Sequence, residues 1–182
     1  MKIQGDIKKY YYYAFPMQAA IVTCTDEEGK TNPITVAWHT PISKKPPLYA
    51  VSIAPARYSH DLIKKSKEFV INFMPFELVD KVHFCGTHSG RNTNKIKETK
   101  LTLEPSKKIK TKHITESFAH LECTMYDTIK LGDHTLFVGE IQHLEHDEDK
   151  FSEKVIDIEN FKPCYYLGEK IYTTVSKIKK KY

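Results

Sequence analysis

Arg57 and Ser59 are the residues of this sequence best suited, by type and spacing, to hold a phosphate group. They follow a proline-containing break at residues 54–56, and hydrophobic spacing predicts a helix over residues 59–66. A helix start offers free backbone N–H groups, and an arginine and a hydroxyl beside it would complete an anion site. The alternative is a surface helix that Ser59 caps and whose dipole Asp61 complements. These residues alone leave both interpretations open, because caps are common.

A second group of anion-binding residue types lies in the segment from Cys85 to Lys95. Ser89, Gly90 and Arg91 stand together there, and glycine lets backbone N–H groups approach an anion closely. We predict a loop that closes over the same phosphate, with a solvated surface loop as the alternative. An H-x-C-x-x-H pattern overlaps this segment, but it lacks a fourth ligand, so no metal site is predicted.

The elements that must position these groups are mostly strands. Runs of β-branched and aromatic residues predict strands over 18–25, 31–38, 48–53, 68–74, 101–104, 117–126 and 134–143. Prolines predict a turn at 40–47, Pro75 opens a second helix that ends near Phe84, and residues 145–161 are predicted as a loop. Since no strand–helix–strand rhythm is present, the pattern favours an antiparallel barrel with inserted helices over a Rossmann sheet. No repeat or linker divides residues 1–182, so we expect one domain with a basic C-terminal tail.

Composition and charge limit the classes of protein that fit. Of the 182 residues, 40% are hydrophobic and 28% are charged, as is ordinary for a globular protein. No apolar run approaches the roughly 20 residues that span a bilayer, and the start lacks a signal peptide, so we expect a cytoplasmic protein with no membrane partner. Four scattered cysteines predict free or buried thiols. The net charge of +5 would suit an acidic redox partner protein, and nucleic acid ranks lower because no groove-reading motif accompanies the lysine clusters.

Three segments, in order, resemble one known family. They read N-P-I-T-V-A-W-H-T-P-I-S-x-x-P-P-L from Asn32, S-I-A-P-x-R-Y-S from Ser52 and G-D-H-T-x-F-x-G-E from Gly132. From about residue 15 to about residue 167, the sequence resembles the flavin reductase-like family of FMN-binding split β-barrels, which includes the flavoredoxins. The resemblance implies a mainly β fold, an antiparallel Greek-key split β-barrel of the FMN-binding type, and a homodimer.

The resemblance also implies a function. It implies bound FMN, with FAD as an alternative, and NAD(P)H as the substrate that donates hydride to the flavin, which passes it to free flavin or another acceptor. A flavoredoxin-like electron carrier without nicotinamide activity is the alternative. His134 would lie near the nicotinamide or the flavin ring as the catalytic residue, unless it is a turn histidine with a local hydrogen bond. Trp38 would lie near the ring or else anchor the core or an interface. The residues in the flavin-contacting regions of the family are Asn32, Pro33, Thr35, Val36, Ala37, Trp38, Ser52, Ala54, Arg57, Tyr58, Ser59, Cys85, Ser89, Gly90 and Lys95.

Overall fold

The structure is a computed structural model that describes residues 1–178. Within this range the α-helices are α1 (Tyr58–Ser66), α2 (Val79–Thr87) and α3 (Lys95–Thr99), and the 3-10 helices are Ile7–Ala14, Phe76–Leu78 and Glu148–Lys150. The strands, in chain order, are β1 (Met17–Gln18), β2 (Ala20–Thr25), β3 (Thr31–Val36), β4 (His39–Lys44), β5 (Pro47–Ile53), β6 (Glu68–Phe73), β7 (Leu103–Glu104), β8 (His113–Ile114), β9 (Ala119–Leu131), β10 (His134–His146), β11 (Phe151–Ser152), β12 (Val155–Ile156), β13 (Tyr165–Gly168) and β14 (Ile171–Thr173).

One sheet organises the molecule. Its seven strands run in the order β3-β2-β6-β9-β10-β5-β4, and all of its neighbouring pairs are antiparallel. The two edge strands, β3 and β4, are consecutive in the chain and are joined by residues 37–38, where the Trp38 carbonyl accepts from the Ser52 N–H of β5 at 2.9 Å. The sheet therefore curls until its first and last strands meet without a full ladder. The predicted mainly β, antiparallel split barrel is confirmed.

The apolar interior lies on both sides of this sheet. Phe69, Phe137 and Val51 are among the residues that fill the barrel and are fully buried. Met74 and Val82 belong to a second cluster between the outer face of the barrel and α2. All four cysteines are buried and free, which confirms the prediction of thiols rather than disulfides.

The segment predicted as a proline-rich turn, 40–47, is instead mostly a strand. β4 covers His39–Lys44, and the chain turns at residues 45–46 before β5. Proline is tolerated because β4 is an edge strand, where a missing N–H leaves no ladder bond unmade. A register shift between Pro41 and Ser43 marks the same irregularity.

The helix boundaries also differ from prediction. Helix α1 begins at Tyr58 with Arg57 at its N-cap, and no side chain caps it, so the expected Ser59 cap is wrong. The helix expected from Pro75 begins as the 3-10 turn Phe76–Leu78, and α2 then runs to Thr87, beyond the predicted end. The predicted 85–95 loop is therefore shorter, because α2 occupies its start and α3 its last residue.

The chain ends add smaller elements to the barrel. Tyr11 packs against Trp38 at 5.8 Å between ring centroids, and the Tyr12 hydroxyl donates to Glu169, so the N-terminal tyrosine cluster covers one end of the barrel. The predicted 145–161 loop holds the short hairpin of β11 and β12. Among the described residues, no helix has the length and apolar character needed to cross a membrane. Most of the expected basic tail, 179–182, lies outside the described residues.

Candidate anion-binding site and adjoining aromatic hollow

A small cavity of about 130 Å³ lies where β3, the start of α1 and the segment after α2 meet. The two predicted phosphate-binding segments, which are some thirty residues apart in sequence, are brought together here. The predicted site residues that line the cavity are Asn32, Arg57, Tyr58, Ser59, Ser89, Gly90 and Lys95. Sequence reasoning missed several further lining residues, namely Ile34, Ala56, Gly86, Thr87 and His88. The last three lie inside the predicted 85–95 segment, but they were not named because the prediction relied on the Ser89-Gly90-Arg91 group.

Lys95 gives the cavity an uncompensated positive charge. Lys95 is 3% exposed, and its Nζ donates to the Cys85 carbonyl at 2.9 Å. No carboxylate of residues 1–178 pairs with it. Burial lowers the pKa of the Lys95 ammonium, and the nearby positive charge of Arg57 lowers it further. A buried cation held this way is costly unless an anion completes its coordination, so the cavity is built for a negatively charged ligand.

Arg57 and the N-terminus of α1 supply further anion-binding groups. Arg57 is exposed, and its guanidinium has no hydrogen-bond partner within residues 1–178. Because no side chain caps α1, its first backbone N–H groups keep their capacity to bind an anion. Ser59 is 1% exposed, and its Oγ accepts from Asn32 Nδ2 at 2.7 Å instead of capping the helix. The hydrogen bond ties β3 to α1 across the floor of the cavity.

Arg91 does not join the predicted phosphate group. Its guanidinium donates to Asp61 Oδ2 at 2.8 Å and to the Ala56 carbonyl at 3.0 Å, and it lies over the Tyr58 ring. Arg91 therefore neutralises the carboxylate that the sequence places beside the anion site. The same contacts fasten the loop after α2 to the start of α1, so Arg91 shapes the cavity without lining it.

Gly90 lines the cavity where no larger residue would fit. A Cβ built on Gly90 would overlap Asn32 Oδ1 and would lie 2.7 Å from Asn32 Cγ, closer than real Cβ contacts, and its 3.0 Å distance to Tyr58 Cδ1 would also be tight. Glycine is therefore required here for the close approach of the loop to β3.

Several β3 side chains that were predicted to contact a ligand instead contact other parts of the protein. The Thr35 hydroxyl donates to the Val82 carbonyl at 2.5 Å, which commits its hydrogen to α2. The side chain of Val36 is buried in the barrel core, and Pro33 is buried as well. These three residues are placed to meet a ligand with their backbones and not with their side chains.

The remaining predicted backbone positions serve local structure. The Ala37 carbonyl accepts from His39 N at 3.2 Å, and the Ala54 carbonyl accepts from Arg57 N at 3.0 Å. The Cys85 side chain is buried in the cluster beneath α2, and burial raises the pKa of its thiol to about 11. Cys85 acts on the cavity through its carbonyl, which holds Lys95.

A second, apolar hollow of about 320 Å³ lies beyond the end of β3, where Trp38 and Ser52 line it with Tyr11 and Leu136. His134 does not line either cavity, but its ring packs on Trp38 at 4.9 Å between centroids. Its Nδ1 lies 2.7 Å from Asp133 Oδ1, and this hydrogen bond holds the pKa of the Asp133 carboxyl below its usual range. A small cationic cavity and an apolar hollow lined partly by aromatic rings thus lie at the two ends of the segment from Asn32 to Trp38.

The sequence relationships agree with this architecture. A model of the flavin reductase-like domain matches residues 12–174, and the chain belongs to that family. An uncharacterised protein of Archaeoglobus fulgidus is 39% identical over 160 residues, which cover 88% of each chain. An FMN-binding protein from Thermus thermophilus, crystallised with 1-cyclohex-2-enone, superposes with a TM-score of 0.87 at 28% identity, covering 100% of this chain and 98% of that chain. Flavoredoxin of Desulfovibrio vulgaris (Miyazaki F) has a TM-score of 0.87 at 24% identity, covering 98% and 97%, and this likeness shows the fold alone.

Proposed function

We propose that this protein binds FMN, with the flavin phosphate in the Lys95 cavity, and acts as an NAD(P)H-dependent flavin reductase. The observation that carries the proposal is the buried Lys95 ammonium, which has no carboxylate partner among residues 1–178. A phosphate monoester carries about 1.5 to 2 negative charges at neutral pH, which match the two cations Lys95 and Arg57. FMN ends in such a group, whereas the phosphates of FAD are diesters with one charge each, so the cavity favours FMN.

The rest of the site supports a flat ring beside the phosphate. The backbone of β3 offers donors and acceptors along the route from Asn32 to Trp38, and the aromatic hollow offers apolar surface. Bound flavin would supply the hydride and electron transfer, while the protein supplies binding, orientation and exclusion of water. We assign His134 a place near the nicotinamide, because its ring packs on Trp38, which lines this hollow.

The assembly is also part of the proposal. Large apolar side chains, including Tyr126, Ile129 and Leu131, are exposed on the β9–β10 hairpin. Several exposed large apolar side chains on one hairpin are typical of a subunit contact. We propose a homodimer of single-domain chains, and light scattering of the purified protein at several concentrations tests it: a monomer at all of them would contradict it.

Titration of the apo-protein with FMN, followed by flavin absorbance and fluorescence, tests cofactor binding. Arg57→Ala should weaken FMN affinity by about 1.5–3 kcal/mol, or about 12- to 140-fold in Kd, through loss of a charge-assisted hydrogen bond. Lys64→Ala removes the same charge from an exposed position of α1 and should leave Kd unchanged. An apo-protein that binds neither FMN nor FAD would overturn the proposal.

Anaerobic mixing of the FMN-loaded protein with NADH and NADPH tests the reductase activity. Bleaching of the flavin absorbance by either nucleotide supports it. A spectrum that stays oxidised, yet bleaches with a reduced ferredoxin, would replace the reductase by a flavoredoxin-like electron carrier, for which the basic charge of the chain would suit an acidic redox partner.

A further inference from the structure

A cluster of histidines and carboxylates lies on three strands, in residues that the flavin site does not use. His113 is on β8, His120 on β9 and Glu145 on β10. His120 and Glu145 are direct cross-strand partners, so their side chains project from the same face of the sheet. The cluster opens into a cavity of about 500 Å³, which shares no lining residue with the Lys95 cavity.

The imidazoles of this cluster are buried without their full set of partners. His113 is 7% exposed and His120 is 5% exposed. His113 Nδ1 and His120 Nε2 have no hydrogen-bond partner among residues 1–178. A buried ring nitrogen without a partner carries the cost of lost hydration, and a bound ion would remove that cost.

Carboxylates surround the unpartnered nitrogen of His120. Its Nε2 lies 3.7 Å from Glu145 Oε2 and 3.8 Å from Glu122 Oε1, which are both too long for hydrogen bonds. Glu122 is fully buried, and its oxygens accept from the backbone N–H groups of Lys107 and Lys108 at 2.8 and 2.7 Å. Negative charge is thus fixed around a gap that a cation would fill.

A further histidine lies beside Glu145 on the same strand. His143 Nε2 is 3.2 Å from Glu145 Oε1, but no hydrogen bond forms at this contact. His143 therefore confines the position of the Glu145 carboxylate by close contact.

We propose that His113, His120 and Glu145 bind a zinc-type divalent transition metal and leave a further coordination position facing the 500 Å³ cavity. Each residue offers one ligand atom, and the three atoms lie within 4.8 Å of one another. Two imidazoles and one carboxylate with an open position form a donor set that zinc accepts in catalytic sites. His143, whose Nε2 lies 3.2 Å from Glu145 Oε1, is the positioning residue for that carboxylate.

Metal binding requires a small rearrangement. The His113 and His120 rings are stacked, with centroids 4.1 Å apart and planes 11° from parallel. Ring nitrogens point in the ring plane, so one ring must turn before both can meet the same ion. Bonds of about 2.0–2.1 Å in tetrahedral geometry bring donor atoms to about 3.4 Å, so the cluster contracts on binding.

Isothermal titration calorimetry of the chelator-treated, full-length protein with Zn²⁺ tests the site. The measured heat of Zn²⁺ binding requires neither bound flavin nor enzymatic activity. We expect one Zn²⁺ per chain and a rise in the unfolding temperature with the metal. Glu145→Gln, at a side chain that is 42% exposed, should weaken Zn²⁺ affinity at least about tenfold. Glu148→Gln, three residues along and exposed, should leave Kd unchanged.

A second variant keeps the test decisive. His120→Asn should also lose the site, and its fold is checked by its circular dichroism and FMN titration; if it fails to fold, His113→Gln takes its place. No saturable Zn²⁺ binding by the wild-type protein, or equal Kd in the wild type, Glu145→Gln and the histidine variant, would overturn the proposal.

Discussion

Gly90→Ala tests the geometry of the anion cavity most directly. The added methyl would overlap Asn32 Oδ1 and would lie 2.7 Å from Asn32 Cγ, whereas ordinary contacts begin at 3.4 Å, so Asn32 or the loop must move by more than 0.7 Å (3.4 − 2.7). Asn32 is 7% exposed and its Nδ2 donates to Ser59 Oγ at 2.7 Å, so it has little room to yield. Overpacking of this kind costs about 1–3 kcal/mol. If the loop moves away from the phosphate, FMN affinity falls about 5- to 140-fold.

The assay is a fluorescence titration with FMN, combined with urea unfolding of the apo-protein. Gly29→Ala is the matched control, because Gly29 has φ +81° and nothing lies within 4 Å of a Cβ built on it. That substitution should lower the free energy of unfolding through backbone strain of about 1–2 kcal/mol and leave the FMN Kd unchanged.

A double-mutant cycle identifies the cause of the loss. In the Asn32→Ala background the main obstacle to the new methyl is gone, so Gly90→Ala should cost less affinity there, with a coupling energy of about 0.5–3 kcal/mol. An unchanged Kd in Gly90→Ala, or an equal loss in both backgrounds, would show that the loop does not approach β3 as described.

Three further predictions concern charge, catalysis and pH. Lys95→Met should weaken FMN affinity at least about tenfold, and Lys97→Met, at an exposed position of the same helix, should not; equal effects in a titration would remove Lys95 from the site. His134→Ala should slow NAD(P)H oxidation in stopped flow more than it weakens FMN binding, and a parallel loss of both would contradict its role. Burial lowers the pKa of His39, so protonation favours the unfolded state and stability falls as pH drops below about 6.5. His39→Gln should reduce that slope in urea unfolding at several pH values, by up to about 1.4 kcal/mol per pH unit, and an unchanged slope would refute it.

Local patterns in the sequence predicted the elements that carry a clear alternation or a turn signal. The strand at 48–53 and the start of β10 at His134 were expected nearly as observed. The length of β9 was not, because its last six residues, 126–131, are exposed and carry no buried face to read. Alternation of apolar and polar residues indicates a strand that is buried on one face only. The end of the β9–β10 hairpin extends beyond the buried part of the sheet, so it carries no such alternation.

The role of Ser59 shows why the site itself was only partly predictable. A serine near a helix start has the same sequence signature whether it caps the helix or accepts a hydrogen bond from elsewhere. Here the partner is Asn32, which lies 27 residues earlier. Likewise, a lysine in a polar loop is normally solvated, and its burial depends on the packing of α2 and α3. The residues of the anion site were named from the sequence, but their partners follow from tertiary contacts.

The two arginines of the chain illustrate how tertiary contacts assign different roles to the same side chain. Arg91 is fully engaged with Asp61 and a backbone carbonyl, so its charge is cancelled on the outside of the cavity. Arg57 has no such partner among residues 1–178 and lines the cavity together with the buried Lys95. If Arg91 were absent, Asp61 would place an unpaired negative charge near the start of α1 and oppose phosphate binding. Arg91 does not line the cavity, but it neutralises Asp61, the one carboxylate of α1. The electrostatic potential of the cavity therefore stays positive.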